Sequence, residues 1–97
     1  MPYIHITSSP GLDRATYDRV VEQLGPEPID GQLVHAVGEA DGSLHIVDVW
    51  ETKAHADRFA AERLFAAFER AGLGPGPETS YVAMDGTVRL GAAPVAG

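Results

Sequence analysis

The sequence predicts an α+β domain with the element order strand, helix, strand, strand, helix, strand, and three observations carry that prediction. Residues 3–7 (YIHIT) alternate with the period of two that gives a strand unlike faces. The dipeptide Asp41-Gly42, well suited to a two-residue type I′ turn, separates two strand-like runs. Two further segments repeat apolar residues at helical spacing. This order is the split βαβ, ferredoxin-like arrangement: one four-stranded antiparallel sheet with both helices on one face.

The first strand covers residues 3–7, and Pro10 and Gly11 follow it. Asp13 is placed to cap a helix over Asp13–Leu24, whose apolar stripe is Tyr17, Val20, Val21 and Leu24. Gly25, Pro26 and Pro28 stop that helix. Strands over Gln32–Gly38 and Leu44–Trp50 flank the Asp41-Gly42 turn. Thr52 then caps a second helix reaching Ala71. Its inward stripe is Ala56, Phe59, Ala60, Leu64, Ala67, Phe68 and Ala71, while Asp57, Arg58, Glu62, Glu69 and Arg70 face water. Gly72 ends it, the run to Pro77 is a turn-rich connector, and Thr79–Met84 (TSYVAM) is the fourth strand. The domain thus occupies residues 1–85, with residues 86–97 as a flexible C-terminal tail.

With both helices on one side the other sheet face is bare, and two such sheets packed face to face would bury it, so a homodimer is expected. The 97 residues suffice for one core. Without cysteine there are no disulfides, thiolate zinc sites or cysteine nucleophiles. A net charge of −7 with no cluster of Lys or Arg argues against nucleic acid. No signal-like start and no long apolar run is present, so the expectation is a cytoplasmic protein that does not engage a membrane. Phosphate loops, helical metal-binding His pairs and serine elbows are absent from the sequence.

Asp48 interrupts the apolar strand HIVDVW, where a charged carboxylate is costly unless paired. Closing the hairpin at Asp41-Gly42 pairs Ala40 with Ser43, and the ladder then runs Val37 with Ile46, His35 with Asp48 and Leu33 with Trp50. A slip of one residue would turn every side chain to the other face. In this register His35, Asp48 and Trp50 line one patch. A carboxylate accepting from one ring nitrogen fixes the tautomer, raises the basicity of the imidazole and leaves the other nitrogen facing the pocket. His35 is thereby the candidate general base and Asp48 its orienter.

Such a base can take a proton from an activated phenol or from carbon between two carbonyls. The anion of a phenolic or anthrone substrate reacts with dioxygen without a metal or flavin when water is excluded, so no cofactor is expected. An intramolecular aldol closure of a polyketide shares this first step. Trp50, Tyr17, Phe59 and Phe68 would supply flat apolar walls for a hydrophobic or aromatic small molecule. The competing explanation is that His35 and Asp48 satisfy one another and fix the register, with Trp50 as core. His5 and His45 fall on the first and third strands, read as adjacent and parallel, which would let both imidazoles meet at the sheet-to-sheet interface. A pH-sensitive interface is expected there and no metal site, because no acidic ligand stands at fixed spacing. His55, early in the second helix, is expected to face solvent without a role.

Three segments carry a family resemblance: Tyr17, Asp18 and Val20 in the first helix, the hairpin LVHAVGEADGSLHIVDVWE, and the helix run DRFAAERL. Together they resemble the antibiotic biosynthesis monooxygenase-like family of dimeric α+β barrels, in its small actinobacterial type, over most of residues 3–84. The resemblance implies a pocket between sheet and helices in each monomer, with dimerisation along the opposite face. The superfamily's chemistries include cofactorless quinone-forming monooxygenases, polyketide cyclases, haem-degrading enzymes and muconolactone isomerases. In the haem-degrading branch a Trp ending the third strand joins an Asn of the first strand and a His of the following helix. Only Trp50 has a counterpart here, since Ile4, His5 and Ile6 include no Asn and Phe59, Ala60 and Ala61 no His. The expectation is a cofactor-independent monooxygenase- or cyclase-like protein acting on an aromatic or polyketide-like molecule. The alternative is a non-catalytic dimeric module that binds a small molecule or supports a partner.

Overall fold

A computed structural model describes residues 1–74, 79–89 and 91. Four strands, β1 (Tyr3–Pro10), β2 (Gln32–Ala40), β3 (Ser43–Trp50) and β4 (Ser80–Asp85), form one sheet in the order β2-β3-β1-β4. Every neighbouring pair is antiparallel. Helix α1 (Arg14–Leu24) joins β1 to β2, and a helical run from Lys53 to Arg70 joins β3 to β4. The expected α+β, ferredoxin-like arrangement is therefore present.

The local signals act as the sequence implies. Asp13 caps α1 by accepting from the Thr16 amide at 2.8 Å, which holds the Asp13 carboxyl below its ordinary range. Thr52 accepts from the His55 amide at the start of the second helix. Asp41 and Gly42 both take positive φ, 52° and 75°, as a type I′ turn requires.

Four features differ from the sequence expectation. β1 continues past Thr7 to Pro10, because Ser8 and Ser9 find partners in His45 and Leu44 of β3. β2 carries a bulge between Gln32 and Val34, so Gln32 rather than Leu33 stands opposite Trp50, and Leu33 is 47% exposed. The second helix is not uniform: α2 (Lys53–Phe59) passes through a π-helical turn (Ala60–Leu64) into α3 (Phe65–Arg70), with neither Gly nor Pro to announce it. Arg70, expected in water, donates to Gln23 O at 3.2 Å, while Arg63 donates to the carbonyls of Leu24, Glu27 and Pro28 at 2.9–3.2 Å. These two guanidiniums satisfy acceptors that the end of α1 leaves open.

The core lies between the helices and one sheet face, where Leu44 and Ala67 are fully buried and Trp50 and Val20 nearly so. The opposite face carries Ile6, Val47, Val82 and Met84 across three adjacent strands, all partly exposed. The connector beyond Gly74 and most of the expected tail lie outside the described residues. Gly86, where that tail was expected to begin, donates its amide to Pro2 O at 2.9 Å.

Candidate functional site

The hairpin register puts His35 opposite Asp48, and their side chains meet: His35 Nδ1 lies 2.5 Å from Asp48 Oδ1. Gln32 Nε2 also donates to that oxygen at 3.2 Å, a contact available because the β2 bulge sets Gln32 in the Trp50 row. The Asp48 side chain is 18% exposed, so this strand carboxylate is partnered as burial demands. A carboxylate only accepts, so Nδ1 carries the hydrogen and neutral His35 presents Nε2 as an acceptor.

That nitrogen does not face an open pocket. The Tyr17 hydroxyl of α1 donates to Nε2, and the two rings lie nearly parallel at 11° with centroids 6.0 Å apart. Tyr17, expected as a ligand wall, is thus the third member of a Tyr17–His35–Asp48 chain. The Asp48 hydrogen bond holds the His35 imidazolium above its ordinary pKa of 6.5, against an opposing effect of burial. Burial, with the nearby Asp48 charge, pushes the Tyr17 phenol up.

On the other side of Asp48 a cleft of about 130 Å³ opens between the sheet and α2. Its walls include Tyr3, His5, Asp48, Trp50, Phe59 and Leu64. Trp50 is 2% exposed and packs on Phe59 with ring centroids 5.3 Å apart. Ala60 and Leu64, the ends of the π-helical turn, both line it. Trp50 and Phe59 therefore share this wall with Asp48, while His35, Tyr17 and Phe68 are not part of it.

His5 is the residue that the sequence expectation misplaced. β1 and β3 are antiparallel, which sets His5 opposite Asp48 on the helix-covered face and His45 opposite Ser8 on the other. His45 bonds Ser8 Oγ at 2.9 Å and does not meet His5, so the expected imidazole pairing at a sheet-to-sheet interface does not form. The signal was available: in a βαββαβ chain, β1 and β3 must run in opposite directions. His55 also departs from expectation. It is 22% exposed, receives a contact from Thr52 Oγ1 at 2.8 Å, and lies so close over Gly31 that any Cβ there would enter its ring. The cleft of about 130 Å³ that it borders is lined by Asp30, Arg58 and Arg63, charges that already pair with one another or with carbonyls.

Neither a protein-family model nor a curated protein matches the sequence. Solved structures do match, over almost the whole length. SnoaB, a cofactor-independent oxygenase from Streptomyces nogalater solved as a mutant, shares 12% identity over 92% of this chain and 96% of its own, with a TM-score of 0.65. An antibiotic biosynthesis monooxygenase shares 15% identity over 91% of this chain and 100% of its own, at 0.63. The chain has the antibiotic biosynthesis monooxygenase fold. A monooxygenase from the gene ActVA-Orf6 of Streptomyces coelicolor, solved with nanaomycin D, has the same fold at 16% identity, covering 94% of this chain and 92% of its own with a TM-score of 0.59. Among the described residues, no helix is long and apolar enough to cross a membrane.

Proposed function

We propose that this protein is a cofactor-independent monooxygenase- or cyclase-like enzyme acting on an aromatic or polyketide-like small molecule. The observation that supports it most is Asp48, which fixes and activates His35 on one side and forms the wall of a Trp50-floored cleft on the other. The likeness to a cofactor-independent oxygenase and to a monooxygenase bound to nanaomycin D adds the substrate class.

In this reading His35 is the general base, and it acts through the hydroxyl that covers its free nitrogen. A substrate of several rings, seated by one ring in the cleft, extends past Asp48 to Tyr17, which passes its proton to Nε2 as its oxygen takes one from the substrate, and Asp48 stabilises the imidazolium that results. On an anthrone-like substrate the carbanion gives electrons to dioxygen and a C–O bond forms. The hydroperoxide then loses water, so that substrate and O2 give a quinone and H2O. On a polyketide the same carbanion attacks a carbonyl of its own chain and closes a ring. The open face around Ile6, Val47, Val82 and Met84 is the surface we assign to a homodimer.

A second reading is favoured by the tight floor of the cleft: with Trp50 buried on Phe59, the protein would be a non-catalytic dimeric module that binds small molecules. Dioxygen uptake with multi-ring anthrones separates the two. The enzyme reading expects uptake by the wild type and its loss in His35→Ala; binding without uptake in both forms leaves the module.

A further inference from the structure

We infer that His5 anchors the ligand, by a hydrogen bond to a hydroxyl or oxo group on a neutral aromatic ring seated against Trp50. This rests on the proposed reading of the cleft as an aromatic site. The register carries it first: His5 stands opposite Asp48 on β3 and shares its face, so both polar groups border one cleft.

The second observation is what His5 lacks. His35 has both ring nitrogens engaged, by Asp48 and Tyr17. His5 has none: among the described residues no side chain or backbone group hydrogen-bonds its ring, although the ring is half-buried. Its orientation is nonetheless held, by Tyr3 with centroids 6.3 Å apart and by Tyr81 at 5.1 Å. A fixed imidazole with free nitrogens offers a donor and an acceptor at the mouth of an apolar slot.

The cleft also restricts the ligand. Its volume of about 130 Å³ is close to the ~150 Å³ of an engineered protein cavity that admits benzene, so a single ring fits. Asp48 and Asp57 both border it, which disfavours carboxylates and phosphates. A neutral phenol or hydroquinone ring, or the terminal ring of a larger polyketide, satisfies both limits.

Trp50 is the single tryptophan of the chain, and its place in the cleft wall makes it the reporter. Hydroquinone and p-xylene, matched in shape but not polarity, are titrated against its fluorescence in wild type, His5→Phe and His5→Gln. Phe keeps a ring between Tyr3 and Tyr81 but removes both nitrogens, and unchanged p-xylene binding shows that the cleft survives. The expected result is hydroquinone affinity weakened about tenfold in His5→Phe and recovered in part by His5→Gln. Hydroquinone binding to His5→Phe at wild-type affinity overturns the inference while leaving the proposed function intact. If neither probe perturbs Trp50 in the wild type, the aromatic reading of the cleft itself fails, and the role of His5 falls with it.

Discussion

Asp48 divides two regions built from the same residue types and finished in opposite ways. Toward α1, His35 is bonded at both nitrogens and Tyr17 closes the chain. Toward α2, His5 stands at the same level of the sheet beside tyrosine rings, and its nitrogens meet no described partner. A saturated polar group contributes to stability and tunes its neighbours, whereas an unsatisfied one beside a cleft is available to a ligand. The strongest hydrogen bonds here set the base and its orientation, and the missing ones mark where a ligand ring enters.

Removing the floor that both regions share should do the most damage. Trp50→Ala should lower stability by about 3–5 kcal/mol in urea unfolding, because a nearly fully buried ring leaves a hole beside Phe59. Next comes Asp48→Ala, which strips an acceptor from His35 and Gln32 together and should cost about 1–3 kcal/mol. The same change should return the His35 pKa toward 6.5, read by NMR titration of the imidazole. A raised histidine pKa gives stability that is fully present below pH 6.5 and is lost as pH rises through the folded-state value, so wild type should lose stability relative to Asp48→Ala over that window.

Tyr17→Phe should cost less, about 0.5–1.5 kcal/mol, since it removes one hydroxyl from a half-exposed pair and leaves the ring stack in place. Smallest of all is His5→Phe, expected within about 0.5 kcal/mol of wild type because no described hydrogen bond is lost. A His5→Phe cost equal to that of Asp48→Ala would erase the contrast between the two sides.

Much of this architecture was legible in the sequence because its signals are local. The Asp41-Gly42 turn set the register, and the register alone placed His35 against Asp48. The caps at Asp13 and Thr52 fixed both helix starts. What escaped was decided across the fold. Ser8 and Ser9 are strand only because β3 pairs with them, and the bulge at Leu33 and the π-helical turn have no residue signature. Tyr17 was visible on the inward stripe of α1, but its meeting with His35 depends on how that helix lies over β2. His5 was missed for a different reason: it needed only the correct strand direction, after which alternation places it beside Asp48.

The most direct test of this division is an NMR titration of the wild type with hydroquinone, following the His5 and His35 imidazoles and the Trp50 indole together. The His5 and Trp50 resonances are expected to shift with one common affinity while those of His35 stay in place. Shifts confined to His35 would put the hydroquinone ring on the saturated side of Asp48 and rule out the cleft as its site.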